Sequence, residues 1–146
     1  MKKITIAILA CFSVLQIHAA DLRWGTDLTG ALAKAKSDNK MVVINFTGSD
    51  WCPWCIKFDK EALDTDQFAQ YAKSHLVLVL ADFPNSKPQS DALKTANAAM
   101  QKKYSVDGFP TLIVLNSDGK EIGRQVGYAS GGSDAFIAEL QGFSKK

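Results

Sequence analysis

The sequence predicts an α/β fold in which a mixed β-sheet carries helices on both faces. Three nearly all-apolar runs have the length and composition of strands that are buried on both sides of a sheet. These runs are Met41–Phe46, Leu76–Ala81 and Thr111–Leu115. Segments with a helical spacing of apolar residues separate the runs. This alternation within 146 residues indicates a single domain rather than several.

The first half of the predicted domain contains a helix, a strand and a second helix. Leu28–Lys36 is predicted to be helical, because Asp27 is suited to cap it and its apolar residues share one face. Pro53–Leu63 is predicted to form the next helix, since proline is well tolerated at the first helical position. Leu22–Trp24 is expected to add a short edge strand.

The second half is predicted to end in a hairpin and a helix. Gln89–Tyr104 has a helical apolar stripe. The turn-forming stretch Asn116–Gly119 is expected to return the chain as an antiparallel strand, Glu121–Val126. Ser133 is expected to cap the last helix. Two strands in parallel arrangement plus an antiparallel hairpin make the predicted sheet mixed.

Residues 1–20 have the pattern of a secretory signal peptide. Two lysines precede the mostly apolar run Ile4–Ile17, and small residues follow it. A membrane anchor is disfavoured, because the run is short and contains polar residues. Attachment of a lipid at Cys11 is also disfavoured, since the apolar run before it would be very short. The predicted domain therefore comprises residues 21–146 and is expected to be exported.

The charge balance excludes some classes of partner. Without residues 1–20, the chain has 15 basic and 15 acidic residues and is formally neutral. This balance favours neither nucleic acid nor an anionic membrane as a partner. Cys52 and Cys55 are then the only cysteines, so the fold is not expected to depend on a disulfide framework.

The two cysteines lie where a predicted strand leads into a predicted helix, in Trp51-Cys52-Pro53-Trp54-Cys55. This layout is typical of a dithiol/disulfide redox site. Cys52 is expected at the helix N-terminus, where free N–H groups and the helix dipole stabilise the thiolate that attacks disulfides. Cys55 lies one turn further along, close enough to form a disulfide with Cys52. Both are therefore predicted to be catalytic.

Three other uses of the cysteine pair are less well supported. A structural disulfide would close a very short loop and constrain the unfolded chain little. A closed zinc site needs about four ligands, and His75 is the only histidine outside residues 1–20. Haem attachment needs a histidine where Ile56 stands. The sequence therefore favours redox exchange, and we expect neither a metal nor another bound cofactor.

Together with the element order, Trp51–Cys55 and Gly108-Phe109-Pro110-Thr111 resemble the thioredoxin superfamily, over about Leu22–Phe143. Within it, Asp50–Lys57 and Asp82-Phe83-Pro84 are similar to small exported bacterial disulfide oxidoreductases of the DsbH type. The resemblance implies a thioredoxin-like fold. It also implies that the protein reduces disulfides in periplasmic proteins.

The resemblance also implies a substrate-binding surface. Pro110 takes the place of a cis-proline that faces the two cysteines across a small gap. The backbone of Phe109 is expected to pair with an extended substrate segment, as a strand would. Trp51 and Trp54 flank the helix N-terminus with Pro53 between them, and are expected to be partly exposed. There they would form an apolar rim for substrate.

The sequence departs from thioredoxin in three respects. Thioredoxin has a buried aspartate on the strand before the site, whereas the matching residue here is Asn45, one position farther from the first cysteine. An amide takes up no proton near neutral pH, so the relay of a proton to Cys55 is replaced or missing. Pro53-Trp54 contains no histidine, and the segment Asp82–Pro110 is longer than in thioredoxin.

Asp59 is expected to lie on a solvated face of the helix together with its neighbours.

We therefore predict a periplasmic thiol-disulfide oxidoreductase that acts mainly as a reductase. Its expected partners are disulfide-bearing exported proteins and a membrane or periplasmic thiol that donates electrons, and we expect a monomer. Two alternatives remain open: an oxidase that uses the same site, and a non-catalytic thioredoxin-like binding module. A thiol peroxidase is a further option, suggested by the spacing of Ser49 and Cys52.

Overall fold

The computed structural model describes residues 22–145, which contain both helices and strands. The predicted signal peptide, residues 1–20, lies outside the described residues. The helices are α1 (Leu28–Asp38), α2 (Pro53–Phe58), α3 (Asp66–His75), α4 (Asp91–Lys103) and α5 (Gly132–Phe143). The strands are β1 (Met41–Thr47), β2 (Leu76–Asp82), β3 (Thr111–Leu115) and β4 (Glu121–Val126).

The four strands form one mixed sheet in the order β2-β1-β3-β4. β1 is parallel to β2 and antiparallel to β3, and β3 is antiparallel to β4. The predicted mixed sheet and hairpin are thus confirmed. Because β1 lies between two neighbours, its carboxyl end is held firmly where the chain enters the Cys52–Cys55 motif.

Alternate residues of β1 face two separate cores. Val42, Ile44 and Phe46 pack with α1 and α4 on one face. On the other face, Val43 packs with α2, α3 and α5. Burial on both faces explains why β1 is almost entirely apolar. The prediction of helices on both faces of the sheet is confirmed.

The helix that carries the cysteines is shorter than the sequence predicts. α2 ends at Phe58, and a π-helical segment, Asp59–Leu63, continues it. The Asp64 N–H donates to the Asp59 carbonyl at 2.7 Å, which is the i to i+5 spacing of a π-turn. Periodicity of apolar residues cannot distinguish such a turn from a regular helical one.

Two further predictions about the elements are wrong. Leu22–Trp24 forms no strand, and among residues 22–145 the edge of β2 is met only by an isolated bridge between Gly25 and Val79. Ser133 does not cap α5, because Gly131 occupies that position. Gly131 and Gly132 have φ values of 131° and 63°, a conformation that favours glycine at this entry.

Among residues 22–145, no helix is long and apolar enough to cross a membrane.

Candidate active site

Cys52 is the N-cap residue of α2. Its backbone is extended, with φ −87° and ψ 107°, and its sulfur accepts the Cys55 N–H at 3.2 Å. Pro53 occupies the first turn, where its missing N–H costs nothing. The Cys52 N–H donates to the Gly48 carbonyl at 2.9 Å, which ties the cysteine to the preceding loop. The sulfur of Cys52 therefore lies at the positive end of the helix dipole, as predicted.

A disulfide joins Cys52 to Cys55. The two residues differ in accessibility, since Cys55 has no exposed surface while Cys52 is 5% exposed. An incoming sulfur can therefore reach Cys52 but not Cys55. Such an asymmetry suits thiol-disulfide exchange, in which one thiol forms a mixed disulfide with a partner and the other thiol then breaks it.

The peptide bond between Phe109 and Pro110 is cis, as the resemblance implied. This bond lies directly before β3, and the Pro110 carbonyl accepts the Gly127 N–H at 2.8 Å. The Phe109 ring meets Trp51 edge-on at 6.1 Å between centroids. That contact brings the cis-proline loop beside the cysteine motif, so the predicted site residues from two distant parts of the sequence lie together.

Large apolar side chains are exposed around the motif. Trp51 and Trp54 are 44% and 60% exposed, which confirms the expected exposure, and Pro53 between them is exposed too. Ile56 and Val126 are also exposed, Val126 to 72%. Sequence reasoning did not single out these two. Val126 lies opposite Thr111 in the sheet, directly after the cis-proline, so only strand pairing reveals its place.

Asp50 fastens the loop after β2 to the cysteine motif. Its carboxylate accepts the backbone N–H groups of Asn85, Ser86 and Lys87 at 2.7 to 3.0 Å. These hydrogen bonds, first that from Asn85, hold the pKa of Asp50 below its usual range. The neighbouring Trp51 donates its indole N–H to the Phe83 carbonyl at 2.7 Å. Sequence reasoning missed this junction, because its partners are more than thirty residues apart.

A second junction lies between Ser49 and Asp82. The Asp82 carboxylate accepts the Ser49 N–H at 3.0 Å and the Ser49 hydroxyl at 2.6 Å. The ammonium group of Lys87 donates a hydrogen bond to the oxygen of the same hydroxyl at 2.9 Å. Ser49 and Asp50, in the loop before the motif, are thus both held by hydrogen bonds. These bonds fix the approach of the chain to Cys52.

Asp59 is half-buried behind the motif, and not on a solvated face as the sequence suggested. Burial, followed by the negative charges of Asp64 and Asp82, raises the pKa of Asp59 to about 6. A hydrogen bond from Asn45 and the charge of Lys87 act in the opposite direction. The spacing of four residues from Cys55 is the sequence signal that could have identified Asp59.

Among the described residues, no group of three or more histidine, cysteine, aspartate or glutamate side chains is placed to hold a metal ion.

The sequence profile of a family described as "Thioredoxin-like domain" matches residues 28–142. The chain belongs to this thioredoxin-like family. The match extends from the first residue of α1 almost to the end of α5, so it covers both cores, the cysteine motif and the cis-proline loop.

Relatives of this thioredoxin-like protein include named redox proteins. It is 36% identical over 125 residues to "Disulfide bond reductase DsbH" of Chlamydia pneumoniae, which covers 86% of this chain and 74% of the relative. It is 32% identical to "Thiol:disulfide interchange protein DsbD" of Pectobacterium atrosepticum, over 88% of this chain but only 21% of that longer protein.

Solved structures agree with these relationships. A structure titled "DsbH Oxidoreductase" superposes with a TM-score of 0.81 at 35% identity, over 89% of both chains. A thioredoxin from Thermus thermophilus superposes with a TM-score of 0.60 at 24% identity, over 83% of this chain and 85% of that one, and shows the shared fold alone. The relatives and the cysteine pair together support thiol-disulfide oxidoreduction as the chemistry of this thioredoxin-like protein.

Proposed function

We propose that the protein reduces disulfides in exported proteins, with Cys52 as the attacking thiol and Cys55 as the resolving thiol. The observation that carries the proposal is the unequal burial of the joined pair at the start of α2, where Cys52 has some exposed surface and Cys55 none. The name of the 36% identical relative, a disulfide bond reductase, supports reduction as the direction.

The reaction proceeds in two exchanges. The Cys52 thiolate attacks one sulfur of a substrate disulfide, forms a mixed disulfide and releases the other substrate sulfur as a thiolate. Cys55 then attacks the Cys52 sulfur, which breaks the mixed disulfide. The products are a fully reduced substrate and the oxidised Cys52–Cys55 pair. Helix α2 favours the first exchange, because its free N–H groups face the sulfur that carries negative charge.

Substrate is held beside Cys52 on the apolar surface around the motif. Trp51, Pro53 and Trp54 supply exposed apolar area on one side of the sulfur. Phe109 and Pro110 form the other side, where an extended substrate segment pairs with the backbone before β3. Tryptophan suits this role, since it provides a large contact area with little conformational entropy to lose.

The setting of the reaction follows from residues 1–20. We propose that they form a signal peptide and that the domain of residues 21–146 works in the periplasm. There an electron donor with its own thiol pair, in the membrane or the periplasm, returns Cys52 and Cys55 to the dithiol. No bound cofactor takes part, and the protein acts as a monomer.

The redox potential decides between reductase and oxidase. Equilibration of the purified protein with glutathione buffers is expected to give a value close to that of thioredoxin, about −270 mV. A value near −120 mV, typical of a strong oxidant, would instead assign disulfide donation.

Trapping tests the assignment of the two thiols and separates a catalyst from a binding module. Cys55→Ala is expected to accumulate mixed disulfides with substrate proteins, because the resolving thiol is missing. The matched control, Cys52→Ala, is expected to accumulate none. Equal trapping by both variants, or by neither, would contradict the proposed roles.

A further inference from the structure

The buried position of Cys55 poses a problem of proton transfer. Only a thiolate attacks a disulfide, so the Cys55 thiol must lose its proton before it can resolve a mixed disulfide. Cys55 has no exposed surface. Bulk water therefore does not reach the thiol directly, and the resolving step calls for an acceptor inside the protein.

Asp59 lies where such an acceptor is needed. It follows Cys55 by four residues, and its backbone N–H bonds to the Cys55 carbonyl, so the two residues occupy successive turns on one helix face. Side chains in a helix lean toward its N-terminus. The carboxyl of Asp59 is thereby directed over the turn that contains Cys55. Asp59 is half-buried, which keeps it in contact with the interior and with solvent.

Asn45 meets Asp59 from the central strand. Asn45 is 2% exposed and donates a hydrogen bond to the Asp59 carboxylate. The Asn45 Oδ1 is buried and has no hydrogen-bond partner in the described part of the chain. A neutral amide offers both a donor and an acceptor. It can therefore pair with the ionised carboxylate through Nδ2 and with the protonated carboxyl through Oδ1.

Charged groups from three elements tune the same carboxyl. Asp64 acts from the turn after the π-helical segment, Asp82 from the end of β2, and Lys87 from the loop that follows β2. Burial and the two acids outweigh Lys87 and Asn45, so the pKa of Asp59 rises to about 6. A group that titrates there is mostly ionised near neutral pH, yet it accepts and releases a proton readily.

We propose that Asp59 accepts the thiol proton of Cys55 during the resolving step and that Asn45 holds Asp59 in position for this transfer. The inference rests on the proposed function. In the step, the proton moves from the Cys55 sulfur to an Asp59 oxygen and the Cys55 sulfur bonds to the Cys52 sulfur. The bond between Cys52 and substrate breaks, and its electron pair leaves with the substrate sulfur. Asp59 then releases the proton to solvent.

The first test separates the two exchanges in time. All proteins carry Cys11→Ser, so that Cys52 and Cys55 are their only thiols. The reduced protein is mixed with the aromatic disulfide dithiobis-nitrobenzoate in a stopped-flow instrument. A first release of thionitrobenzoate reports attack by Cys52, and a second reports resolution by Cys55.

Asp59→Asn is expected to leave the first phase unchanged. It is expected to slow the second phase by about 10²-fold near neutral pH, the lower end of what a positioned base contributes. In the unaltered protein, the rate of the second phase is expected to show an inflection near pH 6, the raised pKa of Asp59. The variant is expected to lack this inflection. The matched control is Asp64→Asn, which removes a nearby exposed charge but not the acceptor. An unchanged second phase in Asp59→Asn, or an equal slowing in the control, would overturn the proposal.

The second test does not depend on catalysis. In Cys52→Ala, the ultraviolet absorbance of the Cys55 thiolate is followed against pH, with and without Asp59→Asn. Loss of a neighbouring negative charge favours the thiolate, so Cys55 is expected to ionise at lower pH when Asp59 is replaced. Identical titrations would overturn the inference. If the unaltered protein released no thionitrobenzoate, the proposed function would fail. The titration of Cys55 would still test whether Asp59 interacts with its thiol.

Discussion

The N-terminus of α2 is capped differently from those of the neighbouring helices. Asp27 caps α1 through its carboxylate, which accepts the N–H groups of Thr29 and Gly30 at 2.9 and 3.1 Å. Thr65 and Ser90 cap α3 and α4 through their hydroxyl oxygens. At α2 the acceptor is the sulfur of Cys52, at 3.2 Å from the Cys55 nitrogen. Sulfur is a weak acceptor, so this cap contributes less to the start of its helix than each of the three oxygen caps does.

This difference separates a structural use of a helix N-terminus from a chemical one. Oxygen caps satisfy free N–H groups in the folded protein and contribute about 1 kcal/mol each to stability. At α2 the N–H groups face an atom that gains negative charge only when the disulfide opens. The loop before this cap is held by hydrogen bonds of Ser49 to Asp82, at the end of β2, and of Asp50 to the segment that follows β2.

Cys52→Ser tests the comparison with the largest expected effect. Serine is a better cap than cysteine but a far weaker nucleophile, so the rate of disulfide reduction is expected to fall on the order of 10⁴-fold or more. The free energy of unfolding, measured in urea against the reduced unaltered protein, is expected to stay within about 1 kcal/mol or rise. A large loss of stability would mean that the sulfur itself holds the fold together.

Thr65→Ala makes the opposite change at an oxygen cap. The Thr65 hydroxyl accepts the Phe68 N–H at 3.2 Å and lies 2.7 Å from the Ser133 hydroxyl. Its loss is expected to lower the free energy of unfolding by about 1.5 kcal/mol. The rate of disulfide reduction should not change. Ser90→Ala is the matched control for a more exposed cap, and a smaller loss of stability is expected there.

Asp59→Asn should show that a group serving chemistry can reduce stability. The folded pKa of Asp59 is raised, so the folded state binds the proton more tightly and loses stability as pH rises from about 4 toward about 6. After discounting for partial exposure, the loss is about 1 kcal/mol. Urea unfolding across this range is expected to show the loss in the unaltered protein and not in the variant. A steeper loss of stability with pH in the variant would contradict the attribution of this loss to Asp59.

Asp50→Asn should have the smallest effect, confined to one loop. The amide retains one acceptor oxygen where the carboxylate offered two, so the backbone amides of Asn85, Ser86 and Lys87 are expected to exchange hydrogen about fivefold faster. The pKa of Asp50 is lowered in the fold. The three loop amides are therefore expected to be protected from exchange at pH values above the usual pKa range of aspartate. This protection is expected to be lost as the pH falls through the pKa that Asp50 has in the folded protein. Exchange measured by mass spectrometry checks both outcomes, with amides of α4 as the reference.

Local patterns predicted the elements that depend on neighbours in the sequence. The runs of β1, β2 and β3, the β4 hairpin and the Asp27 cap are confirmed, because burial and capping leave short-range signals. The wrong predictions concern long-range or subtle geometry. Ser133 packs against Thr65, which lies 68 residues away, and the π-helical segment differs from an α-helix by one hydrogen-bond step. The signal peptide stays a prediction.

The sequence by itself determined the buried strands and the cysteine pair at a helix start, since hydrophobic periodicity and motif spacing are local properties. The resemblance carried by those motifs also anticipated the cis bond before Pro110. Only the tertiary structure decided which polar residues surround the sulfurs. Asp50 and Asp59 look like ordinary surface acids in the sequence, and their roles come from backbone amides and an Asn45 side chain that folding brings beside them. Burial and charge depend on every neighbour at once, whereas a pattern along the chain records only some of them.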